Sequence, residues 1–124
     1  MGTFTIRETG GKFNFRLKTD NGEVIATSQQ YKTLMTCKAG IASVGKNAPI
    51  ANLEDQTKEG YEVQKHPKFE NNEDNAGEFR FRLKAKNGQN IAASEGYTAI
   101  RNCLNGIESV RKNAPDAKIE MEEK

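Results

Sequence analysis

From Lys12 onward the chain alternates strictly, with Phe13, Phe15 and Leu17 in one phase and Asn14, Arg16 and Lys18 in the other. This is the period of a strand with one buried face. The same run returns as Phe79, Phe81 and Leu83 against Arg80, Arg82 and Lys84. Each run leads into an Asn-Gly pair, Asn21-Gly22 or Asn87-Gly88. Such a pair suits the positive φ angles of a type I′ turn, so a second strand should return antiparallel, around Glu23 to Ser28 in the first case. Upstream, Phe4 and Ile6 alternate over Thr3 to Arg7 and stop at Gly10-Gly11, which predicts a strand before the first hairpin. The counterpart near Lys68 to Asn71 is weaker.

The period then changes. Leu34, Cys37, Ile41, Val44 and Ala48 step by three and four along one stripe, as do Ile100, Cys103, Ile107, Val110 and Ala114, which predicts two helices. Both end in Lys-Asn-Ala-Pro, where the lysine complements the negative helix end, the asparagine tolerates a left-handed cap and the proline prevents continuation. Ser28 and Ser94 stand where strand gives way to helix, a place that capping explains. Tyr31 and Tyr97 begin the helical stripe, and packing accounts for them. Ala51 to Asp55 and Lys118 to Met121 can each add one more strand, with Ile119 and Met121 on a common face.

These patterns are one pattern written twice. An offset of 66 residues carries Phe13 onto Phe79, Asn21-Gly22 onto Asn87-Gly88, Tyr31 onto Tyr97, Cys37 onto Cys103 and Lys46-Asn47-Ala48-Pro49 onto Lys112-Asn113-Ala114-Pro115. The first repeat is taken as residues 1–58 and the second as 59–124, with a polar connector of some strand content from Gln56 to Asn75. One three-stranded sheet with one helix offers only about 60 residues of core, which is marginal alone. Two copies joined edge to edge, both helices on one face, remove an exposed edge and bury both Phe-Phe-Leu stripes. The expected fold is α+β: two tandem repeats in one pseudo-twofold globule, with a single antiparallel sheet and two helices on one face, monomeric because the symmetry is internal.

The run Phe-Arg-Phe-Arg-Leu-Lys, followed by Asn-Gly, Ile-Ala-x-Ser, Tyr, Gly-Ile-x-Ser-Val and Lys-Asn-Ala-Pro, resembles the YegP-like family of small bacterial proteins, over nearly the whole chain. The resemblance implies a β-β-β-α-β repeat, a homodimer in single-copy members and an intramolecular pseudo-dimer in tandem ones, with the repeats' final strands exchanged. The first copy departs from the pattern at Gln29-Gln30 and Gly45, where the second keeps Glu95-Gly96 and Arg111. The resemblance brings no activity with it.

Composition adds little that is specific. A formal charge of +2 is too near neutral for a dedicated polyanion binder, and the end at Glu120, Glu122 and Glu123 is acidic. The apolar runs are too short to span a bilayer, and Met1-Gly2-Thr3-Phe4 enters a strand pattern directly where a leader would be basic and then apolar, so a cytoplasmic protein is expected. Cys37 and Cys103 lack the spacing of a metal knuckle or redox pair and read as reduced, buried thiols. His66 lies alone before Pro67 in the connector. Gly10-Gly11 lacks the strand-to-helix context of a phosphate loop. No catalytic constellation, metal site or cofactor motif is visible, and a non-enzyme is expected.

One feature exceeds what folding requires. Arg7, Arg16, Lys18, Arg80, Arg82 and Lys84 should project from the sheet face opposite the helices as a basic stripe doubled by the pseudo-twofold axis. A solvated face paired to acids such as Glu8, Glu23 and Glu78 is the plain alternative. Three functional readings stay open: an interaction module that binds a protein partner through the open sheet face, a weak and sequence-nonspecific nucleic-acid or anion binder using the basic stripe, and an enzyme with a polar, concave site at the repeat interface. The phenylalanines are in phase with leucine and face inward, so any nucleic-acid contact would lack base stacking.

Overall fold

The alternating runs are strands and the three-four stripes are helices. The computed structural model describes residues 2–122; Met1, Glu123 and Lys124, and with Glu123 part of the acidic end, lie outside the described residues. The elements are β1 (Thr3–Thr9), β2 (Lys12–Lys18), β3 (Val24–Thr27), α1 (Leu34–Asn47), β4 (Asn52–Asp55), β5 (Lys68–Glu73), β6 (Phe79–Lys84), β7 (Asn90–Ala93), α2 (Ile100–Asn113) and β8 (Lys118–Met121). Each copy therefore reads β-β-β-α-β. All strands join one sheet in the order β4-β5-β6-β7-β3-β2-β1-β8. The copies meet at Thr27 and Ala93, which oppose each other across β3 and β7 and are equivalent under the 66-residue offset.

The final strands are exchanged. β4, from the first copy, pairs with β5 of the second, and β8 pairs with β1. Both of these pairings are parallel, which corrects the expectation of a wholly antiparallel sheet; the five inner pairings are antiparallel. The helices explain the difference. α1 packs on β2 of its own copy and on β7 of the other, and α2 on β6 and β3. A 14-residue helix is about 21 Å long, roughly four strand spacings. Each helix thus carries the chain across the sheet to its far edge, at the end where the other copy's first strand begins.

The Asn-Gly hairpins form, with a different turn. Gly22 N–H donates to the Thr19 carbonyl at 2.9 Å, Thr19 N–H donates to the Glu23 carbonyl, and the left-handed conformation falls on Gly22 alone, at φ 84°. Gly88 repeats this with Ala85 and Gln89. This is a type I turn closed by a glycine bulge, matching the register shift after Leu17 and Leu83.

The helix ends also depart from expectation. Asn47 and Asn113 keep right-handed conformations and turn their side-chain amides back onto the Ser43 and Ser109 carbonyls, each at 2.8 Å. Proline alone then stops each helix. Ser28 and Ser94 are not helix caps: each hydroxyl accepts from a β-strand amide, Phe15 or Phe81, at 2.9 Å and donates to the carbonyl of the next residue. The cap of α1 is Thr33, which accepts from Thr36 N–H.

Between sheet and helices, Phe4 meets Phe15 edge-on at 5.5 Å and Phe15 stacks on Tyr31 at 6.2 Å; Phe69, Phe81 and Tyr97 repeat the column at 5.9 and 6.4 Å. Each buried phenylalanine is worth roughly 1.5–3 kcal/mol of apolar transfer. The tyrosine that ends each column lies against a helical glycine, Gly40 or Gly106, and Cys37 and Cys103 are fully buried beneath it.

A Cβ on Gly106 would lie 2.6 Å from the Tyr97 hydroxyl and 3.0 Å from the Phe81 ring. Overpacking of that kind costs about 1–3 kcal/mol, against a helix-propensity gain of at most about 1. Gly106→Ala should therefore lower stability by about 1–2 kcal/mol in denaturant unfolding, and adding Tyr97→Phe should recover part of the loss.

Candidate functional site

The face away from the helices carries the residues out of phase with the aromatic columns. Register places Lys68, Glu70 and Asn72 of β5 directly opposite Lys84, Arg82 and Arg80 of β6, and Glu54 of β4 opposite Glu70. They form a continuous ion network. Lys68 Nζ lies 2.8 Å from Glu54 Oε1 and 3.2 Å from Glu70 Oε2; Arg82 Nε lies 2.5 Å and Lys84 Nζ 3.5 Å from Glu70 Oε1. Arg80 pairs with Asp74 at 2.7 Å.

The connector closes over the far end of this network, where Gln64 N–H donates to Glu54 Oε1 and Gln56 Nε2 to Glu54 Oε2. Glu54, Lys68 and Glu70 are left 2%, 5% and 4% exposed. Burial pushes the Glu54 carboxyl up, but the hydrogen bonds from Lys68, Gln56 and the Gln64 amide outweigh it and hold its pKa at about 2. Glu70 is lowered in the same way, its burial overcome by Arg82 and Lys68, and Lys68 is raised chiefly by its bond to Glu54.

The first copy shows the same face with the middle of the network deleted. Opposite Lys18 and Arg16 on β1 stand Thr3 and Thr5, in the places of Lys68 and Glu70. Among the described residues, Arg16 and Lys18 make no ion pair and no side-chain hydrogen bond, and Arg7 pairs with Glu122 at 3.0 Å. The Thr5 hydroxyl is buried without a hydrogen-bond partner. All six basic residues share the face, but the two halves of the stripe differ in pairing: Arg80, Arg82 and Lys84 are ion-paired, mainly with Asp74 and Glu70, acids absent from the expected set. Glu78 reaches Arg80 only at 3.9 Å. Sequence reasoning missed Glu54, Lys68, Glu70 and Thr5. The available signal was β5 itself, which matches β1 at an offset of 65 and there sets Glu70 against Thr5.

The repeat interface has an apolar core flanked by two clefts of mixed polar and apolar lining, each between one copy's helix and the other copy's hairpin turn. The first, about 690 Å³, is lined by Asp20, Asn21, Glu23, Tyr97, Asn105 and Ser109 among others. The second, about 480 Å³, is lined by Gln30, Tyr31, Lys32, Ser43, Asn87 and Gln89 among others. Among the described residues, neither is lined by a thiol or an imidazole. Burial pushes the Cys37 thiol up and the Cys103 thiol to about 11, the latter with help from Asp55, so neither supplies thiolate at neutral pH. Among the described residues, no His, Cys, Asp and Glu side chains are grouped to hold a metal ion, and no helix is long and apolar enough to cross a membrane.

Comparison with known proteins matches the chain twice, at residues 8–55 and 74–120, to a family described as a domain of unknown function (DUF1508). A UPF0339 protein in the ptx operon 5′ region of Stutzerimonas stutzeri is 38% identical over 119 residues, 95% of this chain and 94% of that one. A UPF0339 protein of Treponema denticola is 60% identical over 52 residues, 90% of its own length but 42% of this chain, the extent of one copy. The solution structure of YegP from E. coli, described as a protein of unknown function, superposes with a TM-score of 0.78 at 31% identity, covering 97% of this chain and 91% of that one.

The buried network is testable by stability. Lys68→Met leaves Glu54 and Glu70 buried without their shared cation and should cost about 3–5 kcal/mol, with a smaller loss for Lys68→Met combined with Glu54→Gln. Between its ordinary 4.5 and about 2, the Glu54 carboxyl binds fewer protons folded than unfolded. Stability should accordingly fall as pH drops through that window, and Glu54→Gln should flatten the fall in acid-unfolding curves.

Proposed function

The chain belongs to the DUF1508 family, a premise that assigns no activity, and from it we propose that the protein is a non-catalytic interaction module, acting as a cytoplasmic monomer through the outer sheet face of its first copy. One contrast carries this reading: Arg16 and Lys18 stand without ion-pair partners among the described residues, whereas their equivalents Arg82 and Lys84 are held by Glu70. Two basic side chains that lack the carboxylate their equivalents hold at the same register positions are explained by a partner that supplies one.

Both thiols lie in the core with their pKa values raised by burial, which speaks against a cysteine nucleophile. Two free cysteines are in keeping with a reducing compartment. The exchanged strands find their partners within the chain, which supports a monomer. Against a nucleic-acid role, the strand positions facing outward carry threonine, asparagine and charged residues and offer no aromatic for stacking.

Tagged protein incubated with a bacterial lysate should retain specific protein partners through nuclease treatment and moderate salt. A variant carrying Arg16→Glu and Lys18→Glu, with an unchanged melting curve, should lose them. Partners kept by that variant, or a signal removed by nuclease, would overturn the reading.

A further inference from the structure

Resting on that reading, we propose that Arg16, Lys18 and the Thr5 hydroxyl form a receptor for a carboxylate side chain in an acidic segment of a partner protein. The molecule carries its own template for this ligand. In the second copy the position between Arg82, Lys84 and Lys68 is filled by Glu70, whose carboxylate lies 2.5 Å from Arg82 Nε and 3.5 Å from Lys84 Nζ. Strand register makes Arg16, Lys18 and Thr5 the equivalents of Arg82, Lys84 and Glu70. The first copy keeps both cations and replaces the carboxylate with a shorter, neutral side chain.

Thr5 supplies an independent observation. It is 9% exposed, and its hydroxyl oxygen is buried with no partner among the described residues. A buried hydroxyl left in that state is destabilising, and an arriving carboxylate oxygen would accept its proton while accepting from Arg16. The ligand thus gives the Thr5 hydroxyl a partner and gives Arg16 and Lys18 the ion pair that their equivalents have.

The surroundings select the ligand class. Glu122 pairs with Arg7 and acts electrostatically with Arg16 and Lys18, and Glu120 stands on the neighbouring strand opposite Thr5. A chain of phosphodiesters needs a run of cations, which Glu120 and Glu122 interrupt, whereas one carboxylate needs only the place that Glu70 occupies in the other copy. The face is open, and a solitary exposed ion pair is worth little. The carboxylate must therefore arrive on an extended segment that also contacts positions such as Thr3 and Asn14.

The probe is a fluorescein-labelled peptide of alternating glutamate and serine, read by anisotropy and by amide chemical shifts, beside its glutamine-for-glutamate analogue and a thymidine oligonucleotide. The glutamate peptide should shift the amides of Thr5, Arg16 and Lys18, and the glutamine peptide should bind about tenfold more weakly or not at all. Thr5→Glu, which fills the receptor as Glu70 fills its counterpart, and Arg16→Gln should each weaken binding by about tenfold. Glu70→Thr should open a second site and raise the stoichiometry from one to two. The proposal is overturned if Thr5→Glu leaves the affinity unchanged, if the glutamine peptide binds as well, or if the oligonucleotide takes the face more tightly. Should any of these occur while cellular partners are still lost on reversing Arg16 and Lys18, this proposal alone falls. Should that charge-reversed variant keep its partners, the interaction reading falls with it.

Discussion

β1 lies beside a hairpin from its own copy on one side and β8, a strand from the other copy, on the opposite side; β5 is placed in the same way by β6 and β4. Without the exchange, each first strand would be a bare edge, its row of amides and carbonyls open to pairing with another chain. The helices enforce the exchange by crossing the sheet, and they cross it because each has half its bed on the other copy's strand. Aromatic columns, tyrosine-glycine contacts and turns can then be identical in both halves, since each half solves the same packing problem.

The outer face is under no such obligation. The connector bonds to it at the β4 end, through Gln64 to Glu54 and Asn52 to Lys65. In the second copy this covering is matched by buried ions: a cation that satisfies two carboxylates, themselves satisfied by further donors. Buried charge is tolerable only when it is paired this fully. In the first copy threonines stand in the places of Lys68 and Glu70, and Glu120, the equivalent of Glu54, is exposed. Both solutions fold, and one of them leaves two basic side chains and a hydroxyl with coordination to spare.

Much of the fold was legible in the chain. Phe13, Phe15 and Leu17 wrote a strand, Cys37, Ile41 and Val44 wrote a helix, and the 66-residue offset made two copies of each. What local pattern missed was set by distance or by competition. The parallel edge pairing depends on where a helix delivers the chain, which no window of residues encodes. Asn47 looked like a left-handed cap, yet its amide found the Ser43 carbonyl within reach, and that bond removed the need for an unusual backbone. On the outer face, arginines and lysines announced themselves by alternation, but their neutralisation depended on Glu70, whose strand read weakly because Asn71 stands where β1 has Ile6.

Asymmetry also runs through the seams where the helix ends meet. Arg111 reaches from α2 to the Ala48 carbonyl at the end of α1, at 3.0 Å, and lays its guanidinium 5.0 Å from the centre of the Phe69 ring. At the equivalent place stands Gly45, with no side chain to reach Ala114, and among the described residues no guanidinium lies over the Phe4 ring. One seam is stapled and also backed by the buried ions beneath the connector. The other is closed by strand pairing and a surface ion pair, and its last strand is exposed along its length. The molecule is thus built like a hinge-and-latch box, firm along one side and lightly fastened along the other, and Thr5, Arg16 and Lys18 lie on the lightly fastened side. A carboxylate bound between them would act as the latch, so that binding there would be felt as rigidity of β1 and β8 as much as by the contact itself.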